Sequence, residues 1–259
     1  MSLVNGWIGA LQTRHRANLT PAEFLKAVRA LSARYVERRA GLAERSAVDS
    51  TGKRAAFAAY YAPLHFLTTR EIVHAVGAAS AGPIDRLIDF GCGTGAASAA
   101  WALELARPPN IMGVDEGGWA LGEAAWTWRA LGLHGRTRRG DLVDAAERAC
   151  RSTDPRPTAF LFAWSANELV DRERDRLLRV LSAAPASPRA LLVVEPLARA
   201  AAPWWDEWAD ALRGSGARCN EWQFDVSLPP ELARIGEAAG FRRAHLGARS
   251  LWRPAVTRA

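Results

Sequence analysis

The chain has 259 residues, 49% hydrophobic and 24% charged, a composition that supports a sizeable folded core and excludes global disorder. No apolar run reaches the roughly 18–20 residues needed to span a bilayer, so no membrane association is expected. The formal net charge is +7, and only Lys26 and Lys53 among the 34 basic residues are lysines. Because arginine forks suit phosphate groups, this balance favours RNA or a ribosomal particle as a partner, unless it reflects composition alone.

The N-terminal third has the periodicity of helices. Thr20 and Glu23 form a capping-box pattern. Apolar residues then recur at helical spacing at Phe24, Val28, Leu31 and Tyr35, with Gly41 as the expected end. Further helices are predicted over Lys53–Tyr61 and over Thr68–Ala78, separated by a proline.

From residue 85 the pattern changes, and short apolar strands alternate with helices of about 10–15 residues. We therefore predict two domains, a helical cap or substrate region at residues 1–84 and an α/β domain at 85–259. The alternation favours a Rossmann-like, doubly wound sheet that is mostly parallel. The strands predicted before the tail are Leu87–Phe90, Ile111–Val114, a third strand whose end is Arg138–Leu142, then Thr158–Trp164 and Ala190–Val194. The tail has a strand at Cys219–Val226, a helix at Pro230–Ala239 and a strand at Phe241–Trp252.

Three cysteines, Cys92, Cys150 and Cys219, are spread along the chain. They form no CxxC pattern, and no cysteine or histidine pair has metal-ligand spacing, so we predict no metal site. The cysteines are expected to be free thiols in a reducing cytoplasm. The residues before Ala10 lack the basic stretch of a secretory signal. Nothing in the sequence indicates an oligomeric state.

The segment Asp89-Phe90-Gly91-Cys92-Gly93-Thr94-Gly95 follows the first predicted strand and opens a helix. Its glycines permit a sharp turn and close contact with a ligand, and the helix N-terminus suits an anionic group. Alone, this loop is a generic signal for a nucleotide cofactor. Gly91, Gly93 and Ala96 even fit the dinucleotide pattern.

Asp89 argues against a dinucleotide, because its carboxylate would repel a pyrophosphate. S-adenosylmethionine (SAM) has no phosphate and carries an ammonium and a sulfonium, which a carboxylate attracts. The sequence therefore favours SAM, with Asp89, Gly91, Cys92, Gly93 and Gly95 in its site. The alternative for Asp89 is a helix-capping or loop residue.

Two more carboxylates stand where later strands end. Asp115 is placed to bind ribose hydroxyls, and the adjacent Glu116 is a substitute; the alternative for Asp115 is a helix cap. Asp141 is placed to accept a hydrogen bond from the adenine amino group, with the Leu142 N–H serving a ring nitrogen. The alternative for Asp141 is a solvated loop acid.

Two segments supply candidate residues that would lie near the transferable methyl group of SAM. After the strand that ends at Trp164, Ser165, Asn167 and Glu168 reach the carboxyl edge of the sheet, Ser165 as a cofactor contact and the others as weak orienting residues. Their alternative is local hydrogen bonding at a helix start. The other candidates, which would cover the cofactor or steer a substrate unless they only pack a helix, are Tyr60, Tyr61 and His65.

These four segments, in this order, resemble the class I, seven-stranded SAM-dependent methyltransferases over roughly Ile84–Trp252. The tail is similar to that family's reversed last strand. The resemblance implies SAM as cofactor and methyl transfer as activity, with Asp89 and the glycines in the first motif, Asp115 in the second and Asp141 in the third.

A narrower resemblance is to the ribosomal small-subunit-associated methyltransferase-like family. It is carried by Tyr60–Phe66, Ser165–Leu169 and Val194–Pro196, and it implies a role on the small ribosomal subunit. The first hypothesis is thus a methyltransferase acting on rRNA or that subunit. The alternatives are a non-catalytic SAM-binding assembly factor and a small-molecule methyltransferase.

Overall fold

The computed structural model describes residues 2–37, 50–183, 189–241 and 246–255. The helices are α1 (Leu3–Arg16), α2 (Pro21–Glu37), α3 (Thr51–Ala56), α4 (Ala62–Ala75), α5 (Ala96–Glu104), α6 (Gly118–Ala130), α7 (Leu142–Arg151), α8 (Asp171–Ala183), α9 (Trp205–Arg213) and α10 (Pro230–Ala238). The strands are β1 (Arg86–Phe90), β2 (Asn110–Asp115), β3 (Gly135–Arg139), β4 (Thr158–Ala163), β5 (Arg189–Glu195), β6 (Arg218–Phe224) and β7 (Leu246–Arg253).

The seven strands form one sheet in the order β3-β2-β1-β4-β5-β7-β6. The first five strands are parallel to one another, whereas β7 is antiparallel to both β5 and β6. The predicted Rossmann-like sheet, mostly parallel with a reversed last strand, is therefore confirmed. The chain reverses its direction of strand addition between β1 and β4, and ligands of open α/β sheets bind beyond the carboxyl ends of strands at such a point.

Burial along the strands follows their place in the sheet. The central strands β4 and β5 are buried on both faces, which explains their continuous apolar sequences. The edge strand β3 has the sequence Gly-Arg-Thr-Arg-Arg and is largely exposed. Charged residues on an edge strand also discourage pairing with another chain.

The N-terminal helices share a hydrophobic core with one face of the sheet. Trp7 of α1, Phe24 of α2 and Phe66 of α4 belong to the same buried cluster as Leu87 of β1 and Trp252 of β7. This core does not decide between one domain and two, so the boundary after residue 84 stays a prediction.

The start of α2 confirms the predicted capping box. The Thr20 backbone N–H donates to the Glu23 carboxylate at 2.8 Å, and the Glu23 N–H donates to the Thr20 hydroxyl at 3.3 Å. The predicted helix end at Gly41 lies outside the described residues.

The predicted break around Pro63 is wrong, because the chain is helical from Thr51 to Ala75. A π turn over Phe57–Tyr61 joins α3 to α4, and the Ala62 N–H donates to the Phe57 carbonyl oxygen. Pro63 lies in the first turn of α4, where a missing N–H donor costs little. The wide turn thus absorbs the proline without ending the helix.

Trp128 of α6 explains glycines in three other elements. A Cβ at Gly95 would lie 2.7 Å from its Nε1 atom, and one at Gly113 of β2 would lie 2.6 Å from its Cη2 atom. A Cβ at Gly135 of β3 would come closer still to the indole ring. Trp128 is 1% exposed, so its ring has no room to move aside.

Membrane-spanning helices and clusters of metal ligands are both absent from the described residues. No helix there is long and apolar enough to cross a membrane. In the same part of the chain, no group of three or more histidine, cysteine, aspartate or glutamate side chains is arranged to hold a metal ion.

Candidate active site at the carboxyl edge

The glycine loop connects β1 to α5 at the carboxyl edge of the sheet. Gly91, Gly93 and Gly95 have φ values of 72°, 50° and 73°, which glycine adopts without the cost imposed by a Cβ. At Gly91 a side chain is also excluded by packing, because a Cβ there would lie 2.5 Å from the Cβ of Ser165. Ser165 follows β4, so the loop contacts the next strand directly.

Most N–H donors of this loop are already used within the chain. The Gly91 and Cys92 N–H groups donate to the Val114 carbonyl oxygen at 2.8 and 3.0 Å, and the Gly95 N–H donates to the Cys92 carbonyl oxygen. The Gly93 N–H donates to Asp115 Oδ2 at 2.9 Å. A loop that binds pyrophosphate presents free N–H groups to it, and these four are not free.

Asp89 is the polar group with the least compensation at this edge. It is 1% exposed, and neither carboxylate oxygen has a hydrogen-bond partner within the described residues under normal geometry. Burial raises the pKa of Asp89 to about 7, against lowering contributions from the nearby hydroxyl and backbone N–H of Ser98, which lie outside normal hydrogen-bond geometry, and with a raising contribution from Asp115. A buried carboxylate without partners is unfavourable, so this position fits a cationic ligand group.

Asp115 is held by two backbone donors at the end of β2. Its Oδ2 accepts from Gly93, and its Oδ1 accepts from the Gly117 N–H at 2.8 Å. The carboxylate therefore joins the glycine loop to the start of α6 in a fixed orientation. Glu116 is exposed beside it, and its carbonyl oxygen accepts from the Arg139 guanidinium at 3.1 Å.

Asp141 caps α7, with its Oδ1 accepting from the Asp144 N–H at 2.7 Å. The alternative stated for Asp141 was a solvated loop acid. In the structure its side chain instead caps a helix. One oxygen is committed to the cap, so an adenine contact would fall to the other oxygen. Leu142 follows, and its side chain reaches 3.4 Å from the Cβ position of Gly91.

Three buried side-chain atoms, two in the loop after β4 and one at the end of β5, have no hydrogen-bond partner among the described residues. They are Ser165 Oγ, Asn167 Oδ1 and Glu195 Oε2. Glu195 ends β5, and its Oε1 accepts from the Ala166 and Asn167 N–H groups at 2.9 and 3.2 Å. Burial raises its pKa well above the usual range, against those two bonds. Glu195 thus fixes the backbone that carries Ser165 and Asn167, whereas Glu168 is exposed.

An aromatic group lies next to this loop. The Trp164 and His65 rings stack with centroids 3.9 Å apart and planes 9° apart, and Phe57 meets His65 edge-on at 5.8 Å. Phe57 also reaches within 4.0 Å of the Cβ position of Gly93. Burial lowers the pKa of His65 to about 3, so its ring is neutral near pH 7. Trp164 adopts a φ of 55°, rare for a bulky residue and a frequent mark of functional sites.

Tyr60 and Tyr61 have their contacts elsewhere. Tyr60 is 2% exposed and packs against Phe241, and the Tyr61 hydroxyl donates to the Val28 carbonyl oxygen at 2.9 Å. Burial raises the pKa of both phenols, that of Tyr60 to about 12. Of the three candidates from this segment, the structure brings only His65 into contact with Trp164, beside the loop after β4.

Sequence reasoning missed Phe57, Trp164 and Glu195 as residues of this site. Phe57 lies at the start of the π turn, which no sequence pattern indicates. Trp164 and Glu195 each end a buried strand at the carboxyl edge, and that placement was a usable signal. Cys92 lies under the loop, where burial raises the pKa of its thiol well above the usual range and leaves it protonated.

No protein-family model matches the sequence, and no curated protein matches it either. Solved structures do match the fold. A Nostoc punctiforme PCC 73102 protein assigned as an O-methyltransferase is 14% identical with a TM-score of 0.52, over 91% of this chain and 70% of that one. An O-methyltransferase family protein from Burkholderia thailandensis is 12% identical with a TM-score of 0.50, over 97% and 72%.

At such low identity the similarity concerns the fold. The chain has the seven-stranded Rossmann-like fold of class I methyltransferases, with a helical N-terminus before the sheet. The comparisons give no support to the narrower resemblance to the ribosomal small-subunit-associated family.

Proposed function

We propose that the protein is a SAM-dependent methyltransferase with its active site at the carboxyl edge of the sheet. The observation that carries this proposal is the buried, unpartnered carboxylate of Asp89 beside a glycine loop whose N–H groups are largely satisfied. A phosphate-bearing dinucleotide would meet a negative charge and few free donors there. A ligand with positive groups and no phosphate fits both features.

The other residues fit the remaining parts of SAM. Asp115 has lone pairs left after its two backbone bonds, and these suit the ribose hydroxyls. Asp141 and the Leu142 N–H are the candidates for adenine. Glu116 remains a candidate substitute for Asp115, and Cys92, Gly91, Gly93 and Gly95 would contribute backbone surface.

When bound, SAM would supply a methyl group already activated by the sulfonium. The protein then has to align an acceptor with that methyl and keep water out, and alignment of this kind supplies on the order of 7–11 kcal/mol in favourable cases. Ser165 and Asn167 have unpartnered oxygens for orienting an acceptor, and Glu195 holds their backbone. Phe57, His65 and Trp164 would exclude water. The low pKa of His65 makes it a poor general base near pH 7.

A ligand-binding experiment tests the cofactor. Calorimetric titrations should show binding of SAM and of its demethylated product S-adenosylhomocysteine, with no binding of NAD. SAM should bind more tightly than the product, because only SAM carries the sulfonium that Asp89 attracts. Tighter binding of NAD than of SAM would contradict the proposal.

A turnover experiment then tests the activity. Transfer of a labelled methyl group should be measured with RNA and with small hydroxyl-bearing molecules as acceptors. The assignments of the two structural neighbours favour a hydroxyl acceptor, and the basic composition favours RNA. Cofactor binding without transfer to any acceptor would instead favour the non-catalytic, SAM-binding assembly factor.

A further inference from the structure

The amino edge of the sheet carries a feature that the proposed function does not use. A cavity of about 570 Å³ lies where β1, β2 and β3 begin. Its lining includes the residues Arg86, Asn110, Met112, His134, Arg136 and Arg156. We call this cavity the amino-edge trough. Parallel strands of five residues separate it from the carboxyl edge by about 15 Å, so its ligand would not touch the glycine loop.

Most arginines in the rest of the described chain do not support polyanion binding, because their guanidinium groups form hydrogen bonds or ion pairs within the fold. Arg29 of α2, for example, donates to the Ala238 and Ala239 carbonyl oxygens at the end of α10, at 2.7 and 3.2 Å. Arg176 of α8 binds three carboxylates. The net charge of +7 therefore says little about a surface, and the free arginines have to be located individually.

The side chains around the amino-edge trough carry more positive than negative charge, even when the ion pairs among them are taken into account. Arg86 and Arg156 both bind the same carboxylate, Asp154, each at 2.6 Å. Hydrogen bonds from Arg156 lower the pKa of Asp154, so this single acid is fully ionised and already shared. The next acid, Asp85, lies 3.8 Å from the exposed Arg107.

Arg136 supplies a cation without a counter-ion. Within the described part of the chain its side chain has no hydrogen-bond or ion-pair partner, and it is exposed. Arg138 lies two residues further along β3, on the same face as Arg136, because side chains alternate along a strand. It is also exposed and unpartnered in that part of the chain. The positive surface therefore continues from the trough along the edge strand.

We propose that the amino-edge trough and the arginines of β3 bind the phosphodiester backbone of a single nucleic-acid strand. The positively charged side chains lie in a row along one strand edge and do not surround a single point. A row of this kind suits a chain of phosphates, whereas a single phosphate would need cations gathered around it. Arginine forks match phosphate oxygens, and Asn110 and His134 add donors at the rim. The direction of β3, from the trough to the carboxyl edge, would lead such a strand toward the methyltransferase site.

The test compares two variants that lose the same charge. Arg136→Ala/Arg138→Ala removes the two unpartnered cations of β3. Arg172→Ala/Arg179→Ala removes two exposed arginines of α8, on another surface, and serves as the control. The binding of a fluorescein-labelled oligouridylate is followed by anisotropy over a range of salt concentrations, without any methyl donor.

The β3 variant should bind the oligonucleotide more weakly, and the log–log salt slope should fall by about 1.4 for two lost phosphate contacts. The α8 control should keep the affinity and the slope of the wild type. Equal losses in both variants, or no loss in either, would overturn the proposal. Titration of the wild type with inorganic phosphate is the second arm: saturable phosphate binding without oligonucleotide binding would assign the trough to a small phosphorylated ligand and also overturn it.

This inference can fail separately from the proposed function. Asp89→Asn alters only the carboxyl edge, so it should leave oligonucleotide binding unchanged. In the wild type, oligonucleotide binding without SAM binding would contradict only the proposed function, and SAM binding without oligonucleotide binding would contradict only this inference.

Discussion

The two edges of the sheet handle charge in opposite ways. At the carboxyl edge, Asp89 and Glu195 are buried almost completely, and burial raises the pKa of each carboxyl group. At the amino edge, Arg136 and Arg156 are exposed to water, and Asp154 keeps a lowered pKa beside two arginines. The carboxyl edge thus disfavours ionisation of its buried acids, and the amino edge presents positive charge to solvent.

This difference indicates two kinds of recognition. A buried, unpartnered carboxylate strongly favours one small ligand whose cation replaces the lost hydration. Exposed cations attract polyanions through many weak, salt-sensitive contacts. Four predictions follow the comparison, beginning with the largest expected effect.

The substitution Asp89→Asn should weaken SAM binding by about hundredfold, because it removes a charge-assisted contact in a dry site. It should also stabilise the ligand-free protein above pH 7. The folded-state pKa of about 7 exceeds the ordinary 3.8, so ionisation of Asp89 costs folding stability as the pH rises through this range. Urea denaturation at pH 8 should therefore show a gain of a few kcal/mol. A variant that loses stability at pH 8 would contradict the unpartnered state of Asp89.

The substitution Asp115→Ala should weaken SAM binding by about fiftyfold, since it removes the expected ribose acceptor and leaves the Gly93 and Gly117 N–H groups without a partner. Asp115→Asn keeps one acceptor and should lose less. Calorimetry measures both variants. Unchanged affinity in Asp115→Ala would remove the ribose role.

The affinity for SAM should depend on pH. Ionised Asp89 is the form that attracts a cation, so binding at pH 6 should be about tenfold weaker than at pH 8, with the change centred near pH 7. Calorimetry across this range checks the curve. Asp89→Asn is the control and should give a flat profile; the same slope in that variant would assign the dependence to another group.

The smallest effect is expected for Arg29, whose guanidinium group forms hydrogen bonds within the fold. Arg29→Ala removes the bonds to the end of α10 and should cost about 1 kcal/mol of unfolding free energy. Urea denaturation measures this cost. Binding of SAM and of the oligonucleotide should not change, and a loss of oligonucleotide affinity would place Arg29 on the binding surface.

Much of the fold could be predicted because the strands are either continuously apolar or followed by glycine. The runs within β1, β4 and β5 are of this kind, and their order along the chain implies a parallel sheet. Helices α7 and α9 were not predicted. The buried side of α7 is formed by Val143, Ala145 and Ala146 opposite a charged side, so its amphipathic pattern was a usable signal that the prediction overlooked. The π turn was not predicted because it is defined by a backbone hydrogen bond between residues five apart, which no particular residue type indicates.

The site was predictable where chemistry depends on position along a strand. Asp89, Asp115 and Asp141 all stand at strand ends, and the structure places all three at the carboxyl edge. Their hydrogen bonds were not predictable: the cap made by Asp141 and the two backbone donors at Asp115 depend on loop geometry. Tyr60 and His65 belong to one continuous helical segment, yet Tyr60 packs against Phe241 whereas His65 stacks on Trp164, and this difference was not predictable from the sequence.

The indole of Trp128 has a consequence for how this chain varies and for how it can be altered. One ring sets the volume available at Gly95, Gly113 and Gly135, which belong to three separate elements. Relatives with a smaller residue at position 128 should therefore admit a side chain at position 135, and these two positions should covary. Position 95 should keep its glycine because of its φ of 73°, and position 113 because a Cβ there would also meet Cys92. For redesign, positions 128 and 135 form one unit that has to be exchanged together.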